Sequence, residues 1–212
     1  MLRVKVCGIR RREDALLAAE LGAWAVGFIF WPGSPRFIDP YRARQISAAL
    51  PPWLVPVGVF VDQPVDYIAG VANLVRLGAV QLHGSESAEV VERLQHRVIK
   101  AVPVGADFDV ATLDRVPARA TVLLDAHDLE RRGGTGMIID WTQAAAAARH
   151  RRVFLAGGLR PENVRTAVEA VWPFGIDVSS GVEASPGVKD AGKLRALFAA
   201  LDSGASMAGA VL

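Results

Sequence analysis

The feature that most constrains this chain is a regular alternation of short apolar segments with longer amphipathic ones. Eight segments rich in β-branched or apolar residues recur, each followed by a glycine, a proline or a polar turn. They are RVKVC, AVGFIF, VPVGVFV, AVQLH, VIKAV, TVLLD, VFLAG and GIDVS. Helix-like stretches lie between them, and such alternation of strand and helix predicts a parallel sheet with helical crossovers.

Eight strand–helix units in 212 residues predict an α/β fold, a single (β/α)8 TIM barrel of eight parallel strands. An open, doubly wound sheet is the alternative, but no GxGxxG follows the first strand. Since no linker or second core interrupts the pattern, we predict one catalytic barrel domain over residues 1–202. Residues 203–212 are expected to form a loosely held tail. Ser85, Asp140 and Asp190 precede helix-like stretches as candidate N-caps.

Composition narrows the classes of function. Lys and Arg number 24 against 22 Asp and Glu, and no basic block stands out, so nucleic acid is not an expected partner. No signal peptide or membrane-spanning segment is recognisable, so no membrane partner is expected. The single cysteine cannot form an internal disulfide, which suits a reducing cytoplasm. The histidines lack metal-ligand spacing and no Cys/His cluster exists, so we expect no metal.

Polar residues stand where the predicted strands end, which is where TIM barrels carry their catalytic groups. Cys7, His83, Asp125 and Asp177 follow the first, fourth, sixth and eighth strands, and Arg36 lies in the loop after the second. Each has a purely structural alternative. The thiol of Cys7 can be core, Asp125 a helix cap, Arg36 a surface residue, His83 a core histidine and Asp177 the partner of an interior cation.

Lys5 shares strand parity with Cys7 and is therefore expected to point into the barrel as well. Two roles are open for it: an interior ion pair, which we slightly favour, and tuning of the thiol.

Glycine-rich turns form a second pattern, after the last three predicted strands of the barrel. RRGGTGMIIDW, LAGGL and VSSGVE follow the sixth, seventh and eighth strands. Such turns expose backbone N–H groups that bind phosphate, and the loops after strands seven and eight are the usual phosphate site of this fold. The predicted phosphate-binding residues are Gly134, Thr135, Gly157, Gly158, Ser180 and Gly181.

Together these motifs resemble one known family. VKVCGI, WPGSPRFI, VGVFV, VQLHG, LLDA with GGTGxxxDW, FLAGGLxPxNV and IDVSSGVExxPGxKD follow in order over nearly the whole chain. They are similar to the phosphoribosylanthranilate isomerases, the Amadori isomerases of tryptophan biosynthesis, with QLHG and SSGVExxPGxKD the most specific. Arg10 stands where the family often has threonine, and Met137 and Ile138 vary a loop. These departures bear only on tuning of the phosphate loop.

The resemblance implies an aldose–ketose type isomerisation of N-(5-phosphoribosyl)anthranilate to 1-(2-carboxyphenylamino)-1-deoxyribulose 5-phosphate. It implies Cys7 as general base and Asp125 as general acid, which a desolvated pocket would keep protonated. Arg36 would bind the anthranilate carboxylate, and His83 and Asp177 would contact the substrate. One acid and one base suffice for this chemistry, so no cofactor is expected.

Other functions on the same fold stay open at this stage. The histidine-pathway aminoaldose isomerase has carboxylates at both catalytic positions, which Cys7 argues against. Indole-glycerol-phosphate synthase depends on a lysine and glutamate arrangement that has no match here. A non-catalytic phosphometabolite-binding barrel would have lost its acid or base, whereas Cys7 and Asp125 are both present. The expected partner is a small phosphosugar, and a monomer is expected, with a dimer as the alternative.

Overall fold

The computed structural model describes residues 2–126 and 139–205, the last three of them by their backbone alone. Eight parallel strands form a closed barrel in chain order. The strands are β1 (Arg3–Val6), β2 (Ala25–Ile29), β3 (Val55–Phe60), β4 (Ala79–Leu82), β5 (Val98–Val104), β6 (Thr121–Ala126), β7 (Val153–Leu155) and β8 (Gly175–Val178). Pairing of β1 with β8 closes the sheet, so the predicted TIM barrel is confirmed and the open sheet is excluded.

Helices cover the outside of the barrel. They are α1 (Arg12–Glu20), α2 (Pro40–Ser47), α3 (Val65–Val75), α4 (Ala88–Arg93), α5 (Trp141–His150), α6 (Val164–Val171) and α7 (Ala191–Ala205). The fifth crossover carries a 3-10 helix, Val110–Arg115. The last helix reaches Ala205, three residues into the predicted tail, and residues 206–212 lie outside the described part of the chain.

Local capping explains where some helices begin. The Asp140 carboxylate accepts the backbone N–H of Thr142 at 2.7 Å, and Asp190 plays the same part at the start of α7. Both predicted caps are therefore confirmed. The prediction for Ser85 is wrong, because α4 begins three residues later. The backbone N–H of Ser85 instead donates to the carboxylate of Asp62 at 2.6 Å.

The core has two layers, as expected for a sheet closed on itself. The larger layer lies between the strands and the surrounding helices. The barrel interior is filled by Ala25, Val57, Ala79, Ile99, Ala101, Leu123, Phe154 and Ala156. Above these apolar residues the interior becomes polar, with Lys5 and Gln81 buried at 0% and 1% exposure. The apolar layers thus support a polar layer beneath the C-terminal mouth.

The crossover after β8 contains an element that the sequence does not predict. A 3-10 turn, Ser180–Val182, leads into a short antiparallel hairpin of β9 (Glu183–Ser185) and β10 (Val188–Lys189). The hairpin lies directly before α7 and brings two buried charged residues, Glu183 and Lys189, beside the barrel mouth.

Candidate active site

One cavity opens at the C-terminal ends of the strands and collects most of the residues that the sequence singles out. It is lined by loops that follow six of the strands and by five residues within the strands themselves. Among its lining residues are Cys7, Arg36, Gln81, His83, Asp125, Gly157, Gly158, Asp177, Ser180 and Gly181. The predicted Gly134 and Thr135 lie outside the described residues.

Cys7 follows β1 directly and is 5% exposed. Its backbone N–H donates to the carbonyl of Val178 at 2.8 Å, which fixes the end of β1 against β8. Burial raises the pKa of the thiol, while the positive charge of Lys5 acts in the opposite direction and limits the rise. Among the charges around Cys7, Lys5 is therefore the one that most favours the thiolate over the thiol.

Lys5 lies one layer deeper and is fully buried. Its Nζ donates to the Asp177 carboxylate at 3.0 Å, and it lies near the Cys7 sulfur, since both atoms are about 3 Å from the place of a Cβ on Gly27. Burial lowers the pKa of Lys5, but the attraction of Asp177 and Cys7 outweighs it, so the pKa is raised overall. Both roles left open for Lys5 are thus present in one arrangement, an interior ion pair and a cation beside the thiol.

Asp177 pairs with Lys5 and also lines the cavity. Burial raises the pKa of its carboxyl group, and the neighbouring Lys5 limits that rise. Space for the cluster comes from Gly27 on β2, where a Cβ would stand 2.8 Å from the Cys7 sulfur and 3.1 Å from Lys5 Nζ. A side chain at position 27 would therefore displace the thiol.

Asp125 stands on β6, on the opposite part of the barrel wall, with its side chain 14% exposed. One carboxylate oxygen accepts the backbone N–H of Ala126 at 2.9 Å, and the other lies 3.2 Å from Nε2 of His83. The second ring nitrogen of His83, Nδ1, lies 3.0 Å from the amide nitrogen of Gln81. A chain of polar contacts thus runs from Gln81 through His83 to the predicted acid.

Arg36 is held differently from what its predicted role suggests. Its guanidinium pairs with the carboxylate of Glu183, with Nε at 3.0 Å and Nη2 at 2.8 Å. Two of its three nitrogens therefore bind a carboxylate of the protein, and Nη1 has no hydrogen bond to any described residue. Arg36 still lines the cavity, and its contact with a substrate carboxylate stays a prediction.

Glu183 is the centre of a buried cluster of charges that sequence reasoning missed. It also accepts Nζ of Lys189 at 2.8 Å and the backbone N–H of Gly187 at 3.2 Å. Burial raises its pKa, but the bonds from Arg36 and Lys189 outweigh burial and lower it overall. The SSGVE motif contains Glu183, and its place directly after the predicted phosphate loop was the available signal.

The glycine turns after β7 and β8 lie against each other at the cavity. Gly157 and Gly158 have φ angles of +85° and +63°, which only glycine adopts without strain. A Cβ on Gly181 would stand 1.9 Å from the carbonyl oxygen of Leu159, so the two loops touch through backbone alone. Ser180 and Gly181 begin a 3-10 turn, whose first N–H groups have no acceptor within the turn. These exposed donors suit an anion.

The described residues show no other site of comparable chemistry. No three of their His, Cys, Asp or Glu side chains lie together as a metal site would require. No described helix is long and apolar enough to cross a bilayer.

Comparison with known proteins now decides the family. A sequence profile of N-(5'-phosphoribosyl)anthranilate (PRA) isomerase matches residues 4–200. The chain belongs to the PRA isomerase family. It is 48% identical over 197 residues to the PRA isomerase of Geobacter metallireducens, covering 92% of this chain and 96% of that protein. The resemblance in the motifs is therefore confirmed, and the chain is an isomerase of tryptophan biosynthesis.

Solved PRA isomerase structures share the fold. The structure from Thermus thermophilus has a TM-score of 0.86 and 47% identity, covering 95% of this chain and 99% of that one. A PRA isomerase in complex with reduced 1-(o-carboxyphenylamino)-1-deoxyribulose 5-phosphate has a TM-score of 0.85 and 42% identity, covering 96% and 100%. Monomers generated from the dimeric Thermotoga maritima enzyme have a TM-score of 0.85 and 41% identity, with the same coverage.

Proposed function

We propose that this chain converts N-(5-phosphoribosyl)anthranilate to 1-(2-carboxyphenylamino)-1-deoxyribulose 5-phosphate, with Cys7 as general base and Asp125 as general acid. The observation that carries the proposal is the placement of both groups on one cavity. They come from β1 and β6, which are separated by two strands on one side of the barrel and by four on the other. A sugar bound between them would have the proposed acid on one side and the proposed base on another.

The reaction needs two proton transfers at different atoms. Asp125 gives a proton to the furanose ring oxygen as the bond from that oxygen to C1 breaks. The nitrogen lone pair then forms a C=N double bond with C1. The Cys7 thiolate takes the proton from C2, and the electrons of that bond form the enolamine. Protonation at C1 and loss of the hydroxyl proton at C2 give the ketone product.

The remaining cavity groups suit the two charged ends of the substrate. The turns containing Gly157, Gly158, Ser180 and Gly181 offer backbone donors for the 5-phosphate, and Gly134 and Thr135 are proposed to complete that site. At the other end, Arg36 would present its remaining guanidinium nitrogen to the anthranilate carboxylate. His83 and Asp177 line the space between and are proposed to contact the sugar.

Two variants test the assignment of the acid and base. Cys7→Ser keeps the shape of the side chain but supplies a group whose conjugate base is scarcely populated. Asp125→Asn keeps the size and loses the proton. General acid–base catalysis is typically worth about 10²–10⁴-fold, so kcat should fall by at least that order in each variant while KM changes little. The measurement is the steady-state loss of substrate fluorescence.

A control separates loss of chemistry from loss of charge. Asp66→Asn makes the same change on the exposed first turn of α3 and should leave kcat unaltered. Deuterium at C2 of the sugar should slow Cys7→Ser more than the native enzyme if proton abstraction has become the slow step. Near-native kcat in Cys7→Ser would show that the thiol is packing only.

The compartment and the oligomeric state are proposed separately. We infer a cytoplasmic enzyme, since its single cysteine is needed as a free thiol. We propose a monomer, although a PRA isomerase 41% identical to this chain is dimeric. Light scattering on the purified chain at micromolar concentration distinguishes the two states.

A further inference from the structure

Gln81 is a buried polar residue that the acid–base mechanism above does not use. It lies on β4, two residues after Ala79, and so shares the inward face of that strand. The residue is 1% exposed, yet it forms part of the cavity wall. Its amide nitrogen lies 3.0 Å from Nδ1 of His83. Its carbonyl oxygen Oε1 is buried and has no hydrogen-bond partner among the described residues.

A buried carbonyl without a donor costs folding free energy, and such groups are rare in native proteins. An apolar side chain of the same size would avoid that cost at position 81. The neighbours of Gln81 across the sheet are apolar, Val59 on β3 and Ile99 on β5, so the strands themselves provide no donor. The unpartnered oxygen at the cavity wall therefore points to a ligand that brings the donor.

The contact with His83 has a consequence for the ring. When the Gln81 amide donates to Nδ1, that nitrogen is an acceptor and the ring proton must sit on Nε2. The Nε2–H group then donates to the Asp125 carboxyl oxygen 3.2 Å away. In this tautomer His83 cannot accept a proton from Asp125. The proton of the carboxylic acid is left for the substrate.

We propose that Gln81 has two linked roles: Oε1 accepts a hydrogen bond from a hydroxyl of the substrate's sugar, and Nε2 fixes His83 as a donor to Asp125. A sugar hydroxyl fits this place because the cavity holds the proposed acid and base of a sugar isomerisation. Gln81 is thus a substrate-binding residue and, through His83, a positioning residue for the acid. The identity of the ligand as a sugar rests on the proposed function, whereas the tautomer of His83 does not.

The tautomer is tested first, on the wild-type protein without any ligand. Nitrogen-15 chemical shifts of the histidine ring show which nitrogen carries the proton, and His83→Asn identifies the signals among the four histidines. The expected result is an Nε2–H tautomer of His83. Gln81→Met, which is similar in size and apolar, should give a mixture of tautomers. A wild-type ring protonated at Nδ1, or a ring unchanged in Gln81→Met, would overturn the positioning role.

The second test measures ligand binding without turnover. The probe is reduced 1-(o-carboxyphenylamino)-1-deoxyribulose 5-phosphate, the compound held by a solved relative. Loss of one hydrogen bond should weaken its binding to Gln81→Met by about tenfold. Inorganic phosphate, which would use the glycine turns alone, should inhibit both proteins equally. The melting temperature should change little, because the variant removes one unsatisfied buried group, Oε1 of Gln81, and leaves another, Nδ1 of His83.

Each outcome has one meaning. Equal affinity of wild type and Gln81→Met for the reduced compound would overturn the binding role. A lower melting temperature with equal affinity would make Gln81 a structural residue only. A wild-type protein that binds phosphate but not the reduced compound would overturn the proposed function, and the sugar contact with it. The tautomer measurement would then still decide the positioning role on its own.

Discussion

Replacing Lys5 with methionine should move the activity of the enzyme to higher pH. The Cys7 sulfur and Lys5 Nζ lie 2.8 Å and 3.1 Å from the point where a Gly27 Cβ would stand. Their separation is therefore below about 6 Å, where opposite charges attract by about 3 kcal/mol at an effective dielectric constant of about 20. Loss of that attraction raises the pKa of the thiol. Since 1.36 kcal/mol is a tenfold change in an equilibrium, about 3 kcal/mol lowers the thiolate population by about 100-fold.

The sign follows from which form of Cys7 is active. In the proposed mechanism the base is the thiolate, so kcat/KM should rise with pH and level off once the thiol is ionised. Burial already raises the pKa of Cys7, and Lys5→Met raises it further. The rise in kcat/KM should therefore occur at higher pH, with a loss of about 100-fold at pH 7.

Asp177→Asn provides the opposing control. The negative charge of Asp177 raises the pKa of Cys7, so its removal should shift the rise in kcat/KM to lower pH. Because Asp177 is also proposed to contact substrate, the midpoint of the pH profile is compared and not the height of its plateau. Alkylation of the free enzyme by iodoacetamide gives the same midpoint directly, since the chain has one cysteine.

Lys5→Met is also expected to lower the stability of the protein. Removing one partner of a buried ion pair typically costs about 3–5 kcal/mol, so Lys5→Met is expected to unfold at lower denaturant concentration. The double variant Lys5→Met/Asp177→Asn removes the uncompensated carboxylate and keeps the thiol without its cation. The effect of Lys5 in the double variant is measured against Asp177→Asn, which differs from it at position 5 alone. An unchanged midpoint in folded Lys5→Met, or an equal midpoint in Asp177→Asn and the double variant, refutes the idea that Lys5 supports the thiolate.

Three further predictions concern the support around the site. Glu183→Gln should lose about 3–5 kcal/mol of unfolding free energy at pH 7. The pKa of Glu183 in the folded protein is lowered, so the stability that its carboxylate contributes is lost as the pH falls through that pKa. Urea unfolding of the variant should therefore depend less on acid pH than that of the native protein. Gly158→Asp should raise both the substrate KM and the inhibition constant of inorganic phosphate, and unchanged values would place the anion elsewhere. Both glycines have a positive φ that alanine adopts only with strain, so calorimetry should show Gly8→Ala and Gly22→Ala to be destabilised. Only at Gly8 would the added Cβ also meet Arg36, at 2.8 Å, whereas at Gly22 it meets nothing. KM should therefore rise in Gly8→Ala alone.

The placement of the two proposed catalytic groups at one mouth follows from the sequence because it depends on strand ends alone. Cys7 and Asp125 each close an apolar segment, and in a barrel such positions meet at one mouth. The residues that support them could not be found this way. Glu183 reaches Arg36 through a hairpin whose two short strands carry no alternating pattern. Whether the carbonyl of Gln81 has a hydrogen-bond partner depends on its neighbours across the sheet, and only the register of the strands decides which residues those are.

The contact between Lys5 and Asp177 joins residues 172 positions apart and lies in the register that pairs the first strand with the last. During synthesis almost the entire chain must therefore be made before Lys5 on β1 can pair with the carboxylate of Asp177. The same cation also interacts with Cys7, so the surroundings of the thiol are complete only when β8 closes the barrel. A nascent chain or a fragment truncated before β8 would carry Cys7 and Lys5 but would lack Asp177, the carboxylate that pairs with the lysine.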